Sequence, residues 1–140
     1  MKYPPSLADW IIEQTTDALI YTNRDGVIER WNHAASLLLG FSADEAIGQS
    51  VDLIIPEHLR AAHWNGFNKA VAAGTTRLVG RPALTRAVSK DGRKLYVEMT
   101  FALVKNDDDG VVGSVAIARD VTERVERERA ARAPAPGAGG

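Results

Sequence analysis

Cysteine is absent from all 140 residues. That removes disulfides, zinc–thiolate sites, iron–sulfur clusters and thiol catalysis together. An excess of charge of either sign is missing too, since 17 Lys and Arg face 18 Asp and Glu for a formal charge of −1. A surface built for nucleic acid or anionic membrane needs a basic excess, so neither partner is expected. No apolar run approaches the roughly 18 residues of a membrane span. The opening Met1-Lys2-Tyr3-Pro4-Pro5 lacks an apolar stretch ahead of a small-residue cleavage site, so no secretory signal is read and a cytoplasmic location is expected. Gly-rich phosphate loops, Gly-x-Ser-x-Gly elbows and paired metal motifs are also missing, which leaves no constellation for an enzyme. What is present is an ordinary globule, 45% hydrophobic and 25% charged, of a length that suits one domain.

Local patterns give the order of elements. After Pro4 and Pro5, Ser6 can cap an amphipathic helix from Leu7 to about Asp17, with Leu7, Trp10, Ile11 and Gln14 along one stripe. Ala18 to Thr22 and Val27 to Trp31 flank Asp25-Gly26 and read as a β-hairpin. Asn32 caps a helix over His33–Leu39 that Gly40 stops, and Ser42 with Glu45 forms a capping box for a second one ending at Gly48. Pro56 opens a long helix, Glu57 to Ala73, with Leu59, Phe67, Ala70 and Val71 on its apolar stripe. Three strand patterns follow Gly80 and Pro82: Leu84 to Ser89, Lys94 to Val104 and Val111 to Asp120. The middle one puts Leu95, Val97, Met99, Phe101 and Leu103 on one face, with Tyr96, Glu98 and Thr100 on the other. A charged helix, Val121 to Arg132, comes next, and the Pro/Ala/Gly run 133–140 cannot build a core and is expected to be disordered. Two strands, then helices, then three strands predict an α+β fold: a five-stranded antiparallel sheet with short helices packed on one face and flanking helices at both ends. A small molecule would sit between the sheet and the middle helices.

This order resembles a PAS domain of the sensory S-box class. The matching stretches are Asp25-Gly26-Val27-Ile28 with Trp31-Asn32, then Leu39-Gly40-Phe41-Ser42-Ala43-Asp44-Glu45, Ile47-Gly48, the Lys90-Asp91-Gly92 turn and the closing Arg119-Asp120-Val121-Thr122-Glu123-Arg124. Together they run from about Ser6 to Arg129. The resemblance implies a leader (1–5), a PAS domain with its N-terminal helix (6–120), a charged exit helix (121–132) and a tail (133–140). It implies that Asp120 and Thr122, in Asp-Val-Thr where the family usually has Asp-Ile-Thr, pass movement of the sheet into the exit helix. Their local chemistry alone reads as capping of that helix.

The PAS branches that attach a flavin or a coumaryl chromophore through cysteine do not fit a chain without one. The haem branch needs only an axial histidine. Leu59-Arg60-Ala61-Ala62-His63 resembles the segment around the haem-ligating histidine of direct-oxygen-sensor phosphodiesterases and rhizobial oxygen-sensing kinases, and an ungapped match carries it to the Lys90-Asp91-Gly92 turn. Leu59, His63 and Phe67 recur every four residues, so the imidazole shares the helix's apolar stripe, as haem iron requires. In that match a distal methionine falls at Arg81 and a distal arginine at Ala83. Arg81 then reads as a donor to bound oxygen, as a propionate partner, or as a solvated loop arginine. Met99 reads as a sixth ligand or as core packing, and His63 as the ligand or as a partly buried structural histidine. Trp64 points off the stripe and reads as a surface or dimer contact. His58 and His63 diverge by roughly 140° on one helix and cannot share a metal. The run Asp107–Asp109 reads as a solvated turn or a weak calcium site.

These readings converge on a non-catalytic sensory module, a homodimer that binds a small ligand or cofactor and signals through the exit helix to an unidentified effector. The alternatives are a haem-based gas or redox sensor with His63 as axial ligand, and a ligand-free dimerisation adaptor whose core Phe101 and Met99 fill.

Overall fold

A computed structural model describes residues 5–75 and 81–132. Helix α1 (Leu7–Gln14) leads into strands β1 (Ala18–Asn23) and β2 (Ile28–Trp31), helices α2 (His33–Leu39) and α3 (Ala43–Ala46), and two 3₁₀ turns at Val51–Ile54 and Glu57–Leu59. Helix α4 (Arg60–Ala73), strands β3 (Ala83–Val88), β4 (Lys94–Lys105) and β5 (Val111–Asp120), and helix α5 (Thr122–Arg132) complete the order. The five strands form one antiparallel sheet in the order β2-β1-β5-β4-β3, so the last strand occupies the centre. This is the expected α+β architecture. The leader up to Pro4, Gly80 and the tail 133–140 lie outside the described residues.

Several boundaries move for local reasons. Helix α1 stops three residues short of Asp17, where Asn32 claims one carbonyl of its last turn and one beyond it. The Asn32 Nδ2 group donates to Ile12 O at 2.9 Å and Asp17 O at 3.0 Å, while its Oδ1 accepts from Leu19 N and Ala35 N at 2.9 Å each. Asn32 is fully buried, and these bonds satisfy its amide completely, as burial demands. The long middle helix is divided, because Pro56 starts a 3₁₀ turn before the α-helical ladder begins at Arg60. The Val51–Ile54 turn, which the apolar pattern does not announce, is capped by Ser50.

The core lies beneath α2 and α3, where Ile28, Trp31, Ala35, Leu39 and Ala46 are almost wholly buried. Apolar burial of this kind contributes about 25 cal/mol per Å². The stripe of α1 faces solvent instead: Leu7, Trp10 and Ile11 are each more than half exposed. No helix among the described residues is long and apolar enough to cross a membrane.

Candidate functional site

The central strand makes room for a site. On the face of β5 that looks toward the helices stand only small side chains, Ser114, Ala116 and Ala118, paired across the sheet with Thr22, Ile20 and Ala18 on β1. Their partners on β4 are Leu103, Phe101 and Met99. Small residues at the middle of a sheet leave a hollow that larger neighbours cannot close. A cavity of about 320 Å³ lies there, with Ile20, Thr22, Met99, Phe101, Ser114 and Ala116 beneath it and Ile54, Ile55, Leu59 and His63 on the helix side. That volume falls within the roughly 300–1,000 Å³ range of small-molecule pockets.

His63 enters the wall from the first turns of α4. Its ring stacks on Phe67 at 6.2 Å between centroids, with planes 17° apart, and meets Trp64 edge-on at 5.1 Å. Burial pushes its pKa below the ordinary 6.5, while the negative charge of Asp52 pulls weakly the other way. The imidazole is therefore neutral at neutral pH. Its Nδ1 is buried and has no hydrogen-bond partner among the described residues. Met99 is buried and lines the cavity. Phe67 is half-buried and supports His63 from behind, outside the lining. Arg81 is exposed just before β3 and is not among the lining residues described. Arg86 on β3 borders the cavity, but its guanidinium lies over the Tyr96 ring on the opposite face of the sheet.

Trp64 is not a surface residue. It is half-buried, and its Nε1 donates to Asp52 Oδ1 at 2.8 Å. Its ring also fills the space over Gly26, where a Cβ would lie 1.9 Å from the indole. Gly26 is thus required twice, for that approach and for its φ of +78° in the turn. Arg60 adds a second tie, donating to Ile55 O at 3.1 Å and Asp52 O at 3.2 Å. These bonds fix the start of α4 to the loop before it. The sequence offered a signal in Gly26 but none for its partner. Asp107–Asp109 forms a turn around Asn106, whose Oδ1 accepts from Asp108 N and Gly110 N. No cluster able to hold a metal ion occurs among the described residues.

The exit helix is anchored to the back of the cavity wall. Asp120 Oδ1 accepts from Thr122 N at 2.9 Å, and Thr122 Oγ1 accepts from Tyr96 N at the same distance. Val121 N donates to Tyr96 O at 2.9 Å. The Tyr96 ring lies between Arg86 and Arg129, whose guanidinium carbons are 5.6 and 4.8 Å from its centroid. An Arg124–Glu98 ion pair at 3.3 Å adds a contact one strand step away. Strand alternation does the rest: Met99 and Phe101 line the cavity while Tyr96 and Glu98, on the other face, meet the helix. The family resemblance pointed to Asp120 and Thr122 but not to Tyr96, which the outward face of an alternating strand does not distinguish.

A sheet of this order, with a ligand-sized hollow under its helices and an exit helix tied to the hollow's wall, defines a sensory α+β module. The chain belongs to the PAS domain family, whose model matches residues 16–123. It is 30% identical over 119 residues to the oxygen sensor protein DosP of Escherichia coli, covering 84% of this chain and 15% of that protein. It is 31% identical over 121 residues to sporulation kinase C of Bacillus subtilis, covering 84% of this chain and 26% of the kinase. The chain thus spans about a quarter or less of these relatives. Among solved structures, the PAS domain of a protein from Colwellia psychrerythraea superposes with a TM-score of 0.73 at 25% identity, over 84% of this chain and 96% of that one. PAS domains are generally sensory modules.

Proposed function

We propose that residues 6–120 sense a small ligand or cofactor held in the cavity, and that Asp120 and Thr122 relay its arrival to the exit helix 121–132. The observation that carries this reading is that β4 forms the cavity wall with one face and holds α5 with the other. A ligand that shifts Met99 or Phe101 therefore loads the strand to which Thr122 is bonded. The module itself does no chemistry, acts in the cytoplasm and hands its signal to a separate effector. Self-association suits the exposed Leu7, Trp10 and Ile11 stripe, and a strict monomer from micromolar to millimolar concentration in sedimentation would count against it. The hollow itself favours ligand binding over the adaptor reading, because Phe101 and Met99 leave it unfilled.

A second reading has its own support. The wall holds one neutral imidazole in mostly apolar surroundings, its Nδ1 is unpartnered, and an oxygen sensor is among the relatives. These residues fit haem in kind: His63 would be the axial ligand, Met99 a second ligand or packing on the far side, Phe67 the support of the imidazole, and Arg81 a donor to bound oxygen or the partner of a propionate. Bound haem would supply a site for a diatomic gas or a one-electron couple. The hollow lies near the small end of ligand pockets, so haem loading is expected to move α4 outward, which a helix without one fully buried side chain permits. Absorption spectroscopy after reconstitution with haem, beside His63→Ala, decides between the two readings. A stoichiometric Soret band that the substitution abolishes or shifts establishes the haem sensor. No band, or one indifferent to His63, removes His63 from the axial role and leaves the metabolite-binding reading.

A further inference from the structure

Beside the single hydroxyl of Thr85 and the imidazole of His63, the cavity has a pair of hydroxyls that meet on the sheet. Thr22 and Ser114 are directly opposed on β1 and β5, and their hydroxyl oxygens lie 3.2 Å apart. Both residues line the cavity, and Thr22 is only 6% exposed. A hydroxyl has one hydrogen to give and two lone pairs to receive. Within the pair one hydroxyl donates to the other, which leaves the second O–H without an acceptor among the described residues. A donor left unmet in an apolar wall carries a desolvation cost that a ligand can remove.

The rest of the lining restricts what that ligand is. No carboxylate is among the described residues lining the hollow, so a cation finds no counter-charge from them. The guanidinium of Arg86 lies over Tyr96 on the opposite face, and the polar pair sits two and three strands away from β3 in the sheet. Ile20, Phe101, Met99 and Ile54 ask for an apolar body. Building on the ligand-binding reading above, we infer that the Thr22–Ser114 pair is the recognition pole of the cavity, and that it selects an uncharged, mainly apolar molecule bearing one hydrogen-bond acceptor such as a carbonyl oxygen.

The test uses two probes of nearly equal size, acetophenone, which has the acceptor, and ethylbenzene, which lacks it. Each is titrated into the full chain and into Thr22→Val/Ser114→Ala, with affinity read from amide chemical shifts. Loss of one hydrogen bond is worth roughly 2- to 12-fold in affinity. The double variant is expected to weaken acetophenone by that factor while leaving ethylbenzene unchanged or tighter. Comparing the ratio of the two affinities between the two proteins cancels the probes' different hydrophobicities. Equal changes for both probes, or no change for acetophenone, overturn the recognition pole while the cavity stands as a ligand site. Failure of both probes to bind the unmodified chain overturns the pole and the ligand-binding reading together, whereas binding of ethylbenzene without binding of acetophenone overturns the pole alone. Should the double variant not fold, Ser114→Ala alone carries the comparison, since truncating a half-exposed serine leaves the sheet's backbone ladder intact.

Discussion

On the α2 side of the sheet, side chains interlock: Ile28, Trp31, Ala35 and Leu39 are buried, and the Asn32 amide stitches α1, β1 and α2 into one unit. On the α4 side, a helix of 14 residues buries none of its side chains completely, and a hollow lies beneath it. The two sides share one sheet, yet they are packed differently. The packing over α2 is dense, and less packing is lost when the α4 side moves. Both belong to one core, since Ile20 and Met99 are in the buried cluster and also line the hollow.

This contrast is breakable by substitution. The largest effect is expected from Trp31→Ala, which removes a ring whose Nε1 donates to Ser36 Oγ and Phe41 O, at about 3–5 kcal/mol. Phe67→Ala on α4, removing a half-buried ring, is expected to cost about 1 kcal/mol. Denaturant unfolding measures both, and similar losses would erase the distinction between the two sides.

Thr122→Val comes next. It removes the acceptor for Tyr96 N at a cost of about 1 kcal/mol and should speed amide exchange in α5 several-fold, leaving β1 and α2 protected. Thr122→Ser should restore protection. Uniform loss of protection throughout the domain would show that α5 is not a separable unit.

The smallest effect is the pH response of His63. Its folded pKa is depressed, so below pH 6.5 the unfolded chain takes up a proton that the folded chain refuses. Stability should therefore fall as the pH drops from about 6.5 toward the folded pKa and level off beneath it. His63→Gln should flatten that part of the profile. Superimposable wild-type and variant profiles would place the imidazole in contact with water in the folded state.

Much of this division was legible in the residues. The strands, the Ser6 cap at α1, the capping box at α3 and the Asp-Gly turn follow from short-range chemistry, so the order of elements and the sheet emerge from pattern alone. His63 and Met99 were placed by periodicity, and both line the cavity. What stayed hidden depends on tertiary pairing. Thr22 and Ser114 are 92 residues apart and meet only through strand register. Trp64 looks surface-bound on a helical wheel until Gly26, from a distant turn, opens a place for it. The split of the long middle helix and the position of Asn32 at the end of α1 likewise reflect competition for backbone groups that no window of neighbouring residues contains.

The strand order has a consequence for how the chain comes into being. During synthesis β1–β2 and β3–β4 emerge as two hairpins, each with an open edge, and neither can join the other until β5 arrives between them. Pairings such as Ala18 with Ala118 make this closure a long-range event, of the kind that slows folding and leaves edges exposed meanwhile. The strand that closes the sheet runs directly into α5, so the helix reaches its contacts on Tyr96 of β4 only through the strand that joins the two hairpins. A nascent chain that has not yet released β5 therefore holds two half-sheets, and docking of α5 follows closure of the sheet.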